Sequence, residues 1–152
     1  MKITVDDLSG PETAAFLAEH VSEMRSITPP ESKHALDLEG LRRHDVTFWT
    51  VTDDSGTIVG CGALKALEDE HAEVKSMRTA SAHKRSGVAS LLLDHLIGEA
   101  RRMGYTRLSL ETGAADFFAP ARALYAKFGF EPCAPFADYR PDPLSVFLTR
   151  LL

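Results

Sequence analysis

A chain of 152 residues, 44% hydrophobic and 26% charged, is long enough to bury about two-thirds of its unfolded surface as one domain spanning 1–152. Its formal charge of −5 argues against a general nucleic-acid or anionic-membrane binder, and no apolar run approaches the ~20 residues that span a bilayer. The N-terminus, Met1-Lys2-Ile3-Thr4-Val5-Asp6-Asp7, has acidic residues where a signal peptide has its apolar core, so a cytoplasmic location is expected.

Lys2 to Val5 alternates and predicts a first strand. Pro11 opens a helix whose apolar positions Ala14, Ala15, Leu17, Ala18, Val21 and Met24 share one face, and Thr28-Pro29-Pro30 breaks it. A second helix follows, with Glu31 in its first turn and Ala35, Leu36, Leu38 and Leu41 apolar. Val46 to Thr52 is β-rich, and Asp53-Asp54-Ser55-Gly56 turns the chain into a strand from Thr57 to Leu67. After a polar turn, Glu68 to His71, comes a strand from Glu73 to Thr79. A helix from Gly87 to Met103 carries apolar residues at 88, 91, 92, 96, 100 and 103, and Gly104 stops it. Arg107 to Glu111 is the next strand and Pro120 to Phe128 a short helix ended by Gly129. Phe130 to Cys133 and Ser145 to Leu151 complete the sheet. This order predicts a mixed α/β fold.

Cys61 and Cys133 lie in apolar, strand-like surroundings and read as buried thiols rather than a disulfide. The histidines at 20, 34, 44, 71, 83 and 95 show no metal-ligand spacing, so no metal is expected. The informative segment is His83-Lys84-Arg85-Ser86-Gly87-Val88-Ala89-Ser90, a basic turn feeding a helix. Backbone N–H groups at a helix start have no internal partner, and the macrodipole adds positive charge there. Gly87 lets an anion approach the backbone closely. The turn predicts a phosphate-bearing ligand. A P-loop is excluded because G-x-x-x-x-G-K-[ST] is missing, and no G-x-G-x-x-G follows the first strand.

The strand–turn–helix from Glu73 to Met103 resembles the acetyl-CoA-binding motif of the GNAT superfamily of N-acetyltransferases. That motif is written [QR]-x-x-G-x-[GA], and here it reads Lys84-Arg85-Ser86-Gly87-Val88-Ala89. Lys84 keeps the charge of the first position but loses arginine's planar fork. Downstream, Ala123-Leu124-Tyr125-Ala126-Lys127-Phe128-Gly129-Phe130 resembles the superfamily's L-Y-x-x-x-G-F helix end. Further segments resemble small bacterial acetyltransferases of the YsnE type: Thr28-Pro29-Pro30-Glu31-Ser32, Lys75-Ser76-Met77-Arg78-Thr79, Leu108-Ser109-Leu110-Glu111-Thr112-Gly113 and Pro135-Phe136-Ala137-Asp138-Tyr139. One departure is Phe118, which stands seven residues before Tyr125 where many members carry asparagine.

The resemblance implies a single-domain acyl-CoA N-acyltransferase fold, with a central, splayed, mostly antiparallel sheet flanked by helices. It implies acetyl-CoA as cofactor, with its pyrophosphate on the backbone of Arg85, Ser86, Gly87, Val88 and Ala89. Lys84 and Arg85 would supply charge, and Ser90 lies in the same first turn. The pantetheine arm would run beside Met77, Arg78 and Thr79 through main-chain groups, with a backbone N–H near Met77 polarising the thioester. Glu73, eleven residues before Lys84, is the leading base, and Tyr125 stands where the family places its acid.

Each residue also has a structural reading. Glu73 could be a solvated edge carboxylate, Tyr125 core packing, and Lys84 and Arg85 a solvated turn. Glu111 is a second candidate base on the strand across the splay, with a satisfied structural carboxylate as its alternative. Glu31, Ser32, His34, Phe136 and Tyr139 are candidates for the acceptor site, since polar and aromatic loops often carry specificity. The expected reaction is direct acetyl transfer to a primary amine of a small-molecule or amino-acid-like acceptor. A non-catalytic acyl-CoA sensor and a protein-lysine acetyltransferase are the alternatives. Dimers through an edge strand or the C-terminal strand are common among members, so the resemblance implies a homodimer as one candidate state.

Overall fold

The computed structural model of the protein describes residues 1–27, 38–80 and 86–152. Seven strands form one sheet, β1 (Lys2–Val5), β2 (Val46–Thr52), β3 (Ile58–Glu68), β4 (His71–Thr79), β5 (Arg107–Gly113), β6 (Glu131–Pro132) and β7 (Ser145–Leu151). Their order across the sheet is β1-β2-β3-β4-β5-β7-β6, and every pairing but β4–β5 is antiparallel. The described helices are α1 (Pro11–Ile27), α2 (Leu38–Leu41), α3 (Val88–Arg102) and α4 (Ala119–Lys127). The predicted start of the second helix lies outside the described residues.

Strand boundaries differ from the sequence reading where polar residues end a hairpin. The turn after β3 takes only Asp69 and Glu70, with Glu70 at φ 65, so His71 already pairs with Glu68 in β4. In α3 the buried residues are Val88, Leu92, Leu93, Leu96, Ile97 and Ala100, whereas Leu91 and Met103 are exposed. The predicted stripe was therefore misplaced by about one position on one side, which a 3.6-residue period tolerates poorly.

Two apolar cores lie on opposite faces of the sheet, following the period-2 alternation of its strands. Trp49, Val51, Leu64, Val74, Leu108 and Leu110 turn to the face covered by α3 and Tyr125 of α4. Phe48, Cys61 and Ala63 turn to the other, against Phe16 and Leu17 of α1 and Leu41 of α2. Gly60 allows α3 to lie close to the sheet, since a Cβ there would stand 2.8 Å from Val88 Cγ1.

The sheet's decisive irregularity is at β4 and β5. They run parallel but pair only through His71↔Arg107, Ala72↔Leu108 and Glu73↔Ser109. Beyond those pairs β4 continues to Thr79 and β5 to Gly113 without pairing to each other, leaving a wedge-shaped gap. A polar chain closes the narrow end. His71 Nε2 lies 2.7 Å from Ser109 Oγ, which lies 2.9 Å from Thr149 Oγ1, and Arg107 donates to Thr149 at 3.0 Å.

Candidate active site

The wide end of the gap faces the start of α3. Gly87 holds the N-cap position at φ 88, ψ 1, a conformation that favours glycine, and no side chain caps the helix there. The first intrahelical bond runs from Leu91 N–H to Gly87 O at 3.0 Å. The N–H groups of the first turn, at Val88, Ala89 and Ser90, thus precede the intrahelical ladder, as an anion site requires. A Cβ added to Gly87 would meet no atom of the described residues within 4 Å. Ser86 is exposed beside it. Lys84 and Arg85, the predicted charge of this turn, lie outside the described residues, as do Glu31, Ser32 and His34.

Met77, Arg78 and Thr79 form the last part of β4, along the gap. The Arg78 side chain turns away, to the α1 face. It is buried, lies 3.1 Å from Glu23 and 3.4 Å from Glu19, and stacks over the Phe16 ring at 5.2 Å. It ties β4 to α1, so it is not available for an acceptor carboxylate, and only its main chain borders the gap.

Glu73 is no edge carboxylate: it is 2% exposed. Its Oε2 accepts a 2.6 Å hydrogen bond from Tyr139 Oη and one of 3.2 Å from Lys75 Nζ, which also donates to Tyr139 Oη at 2.9 Å. Period 2 puts Lys75 on the same face of β4 as Glu73, and Tyr139 arrives from the loop between β6 and β7. Phe136, Tyr139 and Phe147 pack edge-on or tilted at 5.2–6.0 Å between centroids, so the loop is held by rings as well as by the carboxylate. Burial, then the Glu73 charge, keep the Tyr139 phenol far above its ordinary range and hence protonated. Lys65, Glu73, Lys75, Asp138, Tyr139, Arg140 and Asp142 line a cavity of about 520 Å³ here, within the usual range for small-molecule sites. Tyr139→Phe is expected to lower stability by about 1–3 kcal/mol, because the buried Glu73 oxygen loses a donor. A thermal melt unchanged from that of the unaltered protein would refute the latch.

Glu111 lies on β5 two residues past Ser109, where that strand has left β4, and on the face that carries Glu73. Burial pushes its carboxyl up to about 7; Ser145 and Lys75 oppose the shift, and Glu73 and Asp142 add to it. Tyr125 of α4 is 7% exposed and packs edge-on against Phe130 at 5.8 Å. Burial raises its phenol well above the ordinary range, and Glu111's charge raises it further. Phe118, where asparagine is common, has its ring against Gly113. A Cβ on that glycine would stand 2.1 Å from a ring carbon, so the position packs the end of β5 rather than offering an amide.

The sequence reading missed Lys75 and Lys65, although the alternation Glu73-x-Lys75 within an apolar strand signals a buried ion pair. One arrangement invites a hydrolase reading: Glu68 Oε1, His71 Nδ1 at 3.5 Å, then His71 Nε2 and Ser109 Oγ. Ser109 is 2% exposed and also bonded to Thr149, so no substrate can reach it. It is a clasp between β4, β5 and β7.

Comparison with known proteins agrees with this geometry. Residues 13–130 match the acetyltransferase (GNAT) family. The chain is 51% identical to the uncharacterized N-acetyltransferase YsnE of Bacillus subtilis over the full length of both, and 50% identical to the uncharacterized N-acetyltransferase YedL of Escherichia coli over 150 residues, covering 99% of this chain and 94% of YedL. An IAA acetyltransferase of Azospirillum brasilense is 42% identical over 82% of this chain and 80% of its own. Among solved structures, a protein named as an acyl-CoA N-acyltransferase from Klebsiella pneumoniae superposes with a TM-score of 0.81 at 28% identity, covering 99% of this chain and 97% of that one. With the splayed sheet, the glycine-capped helix and these matches in agreement, the chain belongs to the GNAT family of acetyltransferases, enzymes of the N-acyltransferase class that use an acyl-CoA.

Proposed function

We propose that this protein transfers the acetyl group of acetyl-CoA directly to a primary amine of a small-molecule or amino-acid-like acceptor. The observation that carries the reading is the wedge between β4 and β5, with the uncapped α3 start at its mouth and Glu111 and Tyr125 beside it. In this reading the backbone of residues 85–89, with Lys84 and Arg85, holds the pyrophosphate. The main chain of Met77 to Thr79 pairs with the pantetheine arm, and the Met77 N–H polarises the thioester carbonyl.

Proton handling then falls to the two groups at the gap. An acceptor ammonium must lose a proton before it attacks, and a base works best with a pKa near the working pH. Glu111, at about 7, meets that condition, while the Glu73 oxygen is already engaged by Tyr139 and Lys75. We therefore assign the base to Glu111 and give Glu73 the holding of the acceptor loop. Tyr125 stays protonated and donates a hydrogen bond to the departing thiolate, whose conjugate acid lies near 8.5 and needs little more help. The cavity beneath Tyr139, with Asp138, Arg140 and Asp142, receives the acceptor, and its size suits a small molecule. The name of the Azospirillum relative points the same way. A cytoplasmic, single-domain enzyme is the simplest setting for this chemistry.

Calorimetry with acetyl-CoA is the test, followed by thiol release across a panel of amines. Saturable binding with release on at least one small amine supports the assignment. No binding at millimolar cofactor would overturn it, and binding without release on any amine would favour an acyl-CoA sensor.

A further inference from the structure

One buried thiol is unused by the chemistry above and touches a distorted stretch of β4. Between the pairs Cys61↔Arg78 and Ala63↔Lys75, β3 has a single residue, Gly62, and β4 has two, Ser76 and Met77. The extra residue makes a β-bulge, with Ser76 at φ 55, an uncommon conformation for a residue with a side chain. Such a turn persists only where its surroundings hold it.

The bulge is held from both faces. On the α3 face, the Met77 thioether occupies the notch left by Gly62, where a Cβ would stand 2.9 Å from Sδ. On the α1 face, Cys61 Sγ lies 3.2 Å from Ser76 O, a thiol-to-carbonyl hydrogen bond. Cys61 is fully buried, and burial pushes its thiol up to about 12 against the opposing charge of Arg78, so it keeps its proton as a donor.

The direction of that bond has a consequence for the neighbouring amide. A trans peptide points its C=O and N–H in opposite senses, and no cis peptide occurs among the described residues. With Ser76 O directed at the Cys61 thiol, the Met77 N–H is directed away from that thiol, at a level of β4 that has no pairing with β5. We propose that Cys61 is a positioning residue: its thiol pins the Ser76–Met77 peptide so that the Met77 N–H faces the thioester carbonyl. The inference rests on the acetyl-CoA reading above. It gives the thiol a role in orientation and none as a nucleophile.

The test reads the carbonyl itself. Infrared difference spectra of acetyl-CoA labelled with carbon-13 at the thioester carbonyl report how strongly a bound carbonyl is polarised. In the unaltered protein the stretch is expected below its value in buffer. C61S, which keeps a donor, should retain the downshift. C61A and C61V, which do not, should lose at least half of it and about tenfold in turnover, because removing an oxyanion donor outright costs more than misaligning one. Affinity for CoA, which lacks the carbonyl, should stay within about twofold in all three, since the Cys61 side chain lies on the α1 face of the sheet, opposite α3. Valine fills the space in case alanine lets the site collapse. A full downshift in C61A or C61V overturns the pin while leaving the cofactor reading intact. Equal loss in C61S and C61A overturns it too, since packing alone would then be responsible. An unshifted carbonyl in the unaltered protein refutes the oxyanion reading, and the pin with it.

Discussion

Glu111→Gln is expected to remove the rise of kcat/KM through pH 7 and to lower the plateau by about 100-fold or more, the lower range for loss of a general base. The sign follows from the chemistry: a base must be ionised, so activity in the unaltered enzyme increases as pH passes the Glu111 value of about 7. A pH–rate profile from 5.5 to 9 reads this directly. An ascending limb that persists in the glutamine variant would move the base elsewhere, with Glu73 the next carboxylate to test.

The same substitution should raise stability. A carboxyl with a folded pKa of about 7 and an unfolded one near 4.5 binds its proton more tightly when folded. Its contribution therefore worsens as pH climbs from 4.5 to 7, and above 7 the ionised form costs about 3 kcal/mol as an upper figure. Glutamine lacks that cost. Melts of the two proteins should coincide near pH 5 and separate by pH 8, with the variant the more stable. A gap independent of pH would show that Glu111 ionises as freely in the folded chain as in water. Together the two outcomes would mark Glu111 as a group retained for chemistry at the expense of the fold.

Tyr125→Phe is the second large effect. Phenylalanine keeps the ring that packs on Phe130 and removes only the hydroxyl. Turnover should drop by about 10- to 100-fold, with stability changed by no more than about 1 kcal/mol. Affinity for CoA should hold, because the proposed phosphate grip is made by main-chain groups at the α3 start, which the substitution leaves unchanged. Since burial raises Tyr125, the descending limb of the pH profile should not be its titration near 10. Unchanged turnover would return Tyr125 to core packing.

How much of this was legible beforehand depended on how local the cause was. The turn before α3 could be read because Gly87, the basic pair and the helix periodicity are contiguous, and the structure places Gly87 at positive φ at the N-cap of α3. The splay could be expected only through family resemblance, since pairing that stops after Glu73↔Ser109 leaves no mark in either strand alone. The burial of Glu73 was missed because its partners are distant in sequence: Tyr139 lies 66 residues away. Glu111 looked like a satisfied structural carboxylate; its surroundings of Glu73, Asp142 and low-polarity packing exist only in the fold. The bulge at Ser76 had no glycine or proline to announce it, so its backbone rather than its side chain was the signal.

The clasp of His71, Ser109, Thr149 and Arg107 has a bearing on selectivity. It fixes the hinge of the wedge, so the two strands stand apart without any guest to separate them. Facing strand edges offer main-chain donors and acceptors, and these greet any extended molecule with amide groups alike. Discrimination must then be divided between the two mouths of the channel. In the proposed reading one end asks for phosphate, the other for an amine that fits under Tyr139, and the middle merely measures the distance between them.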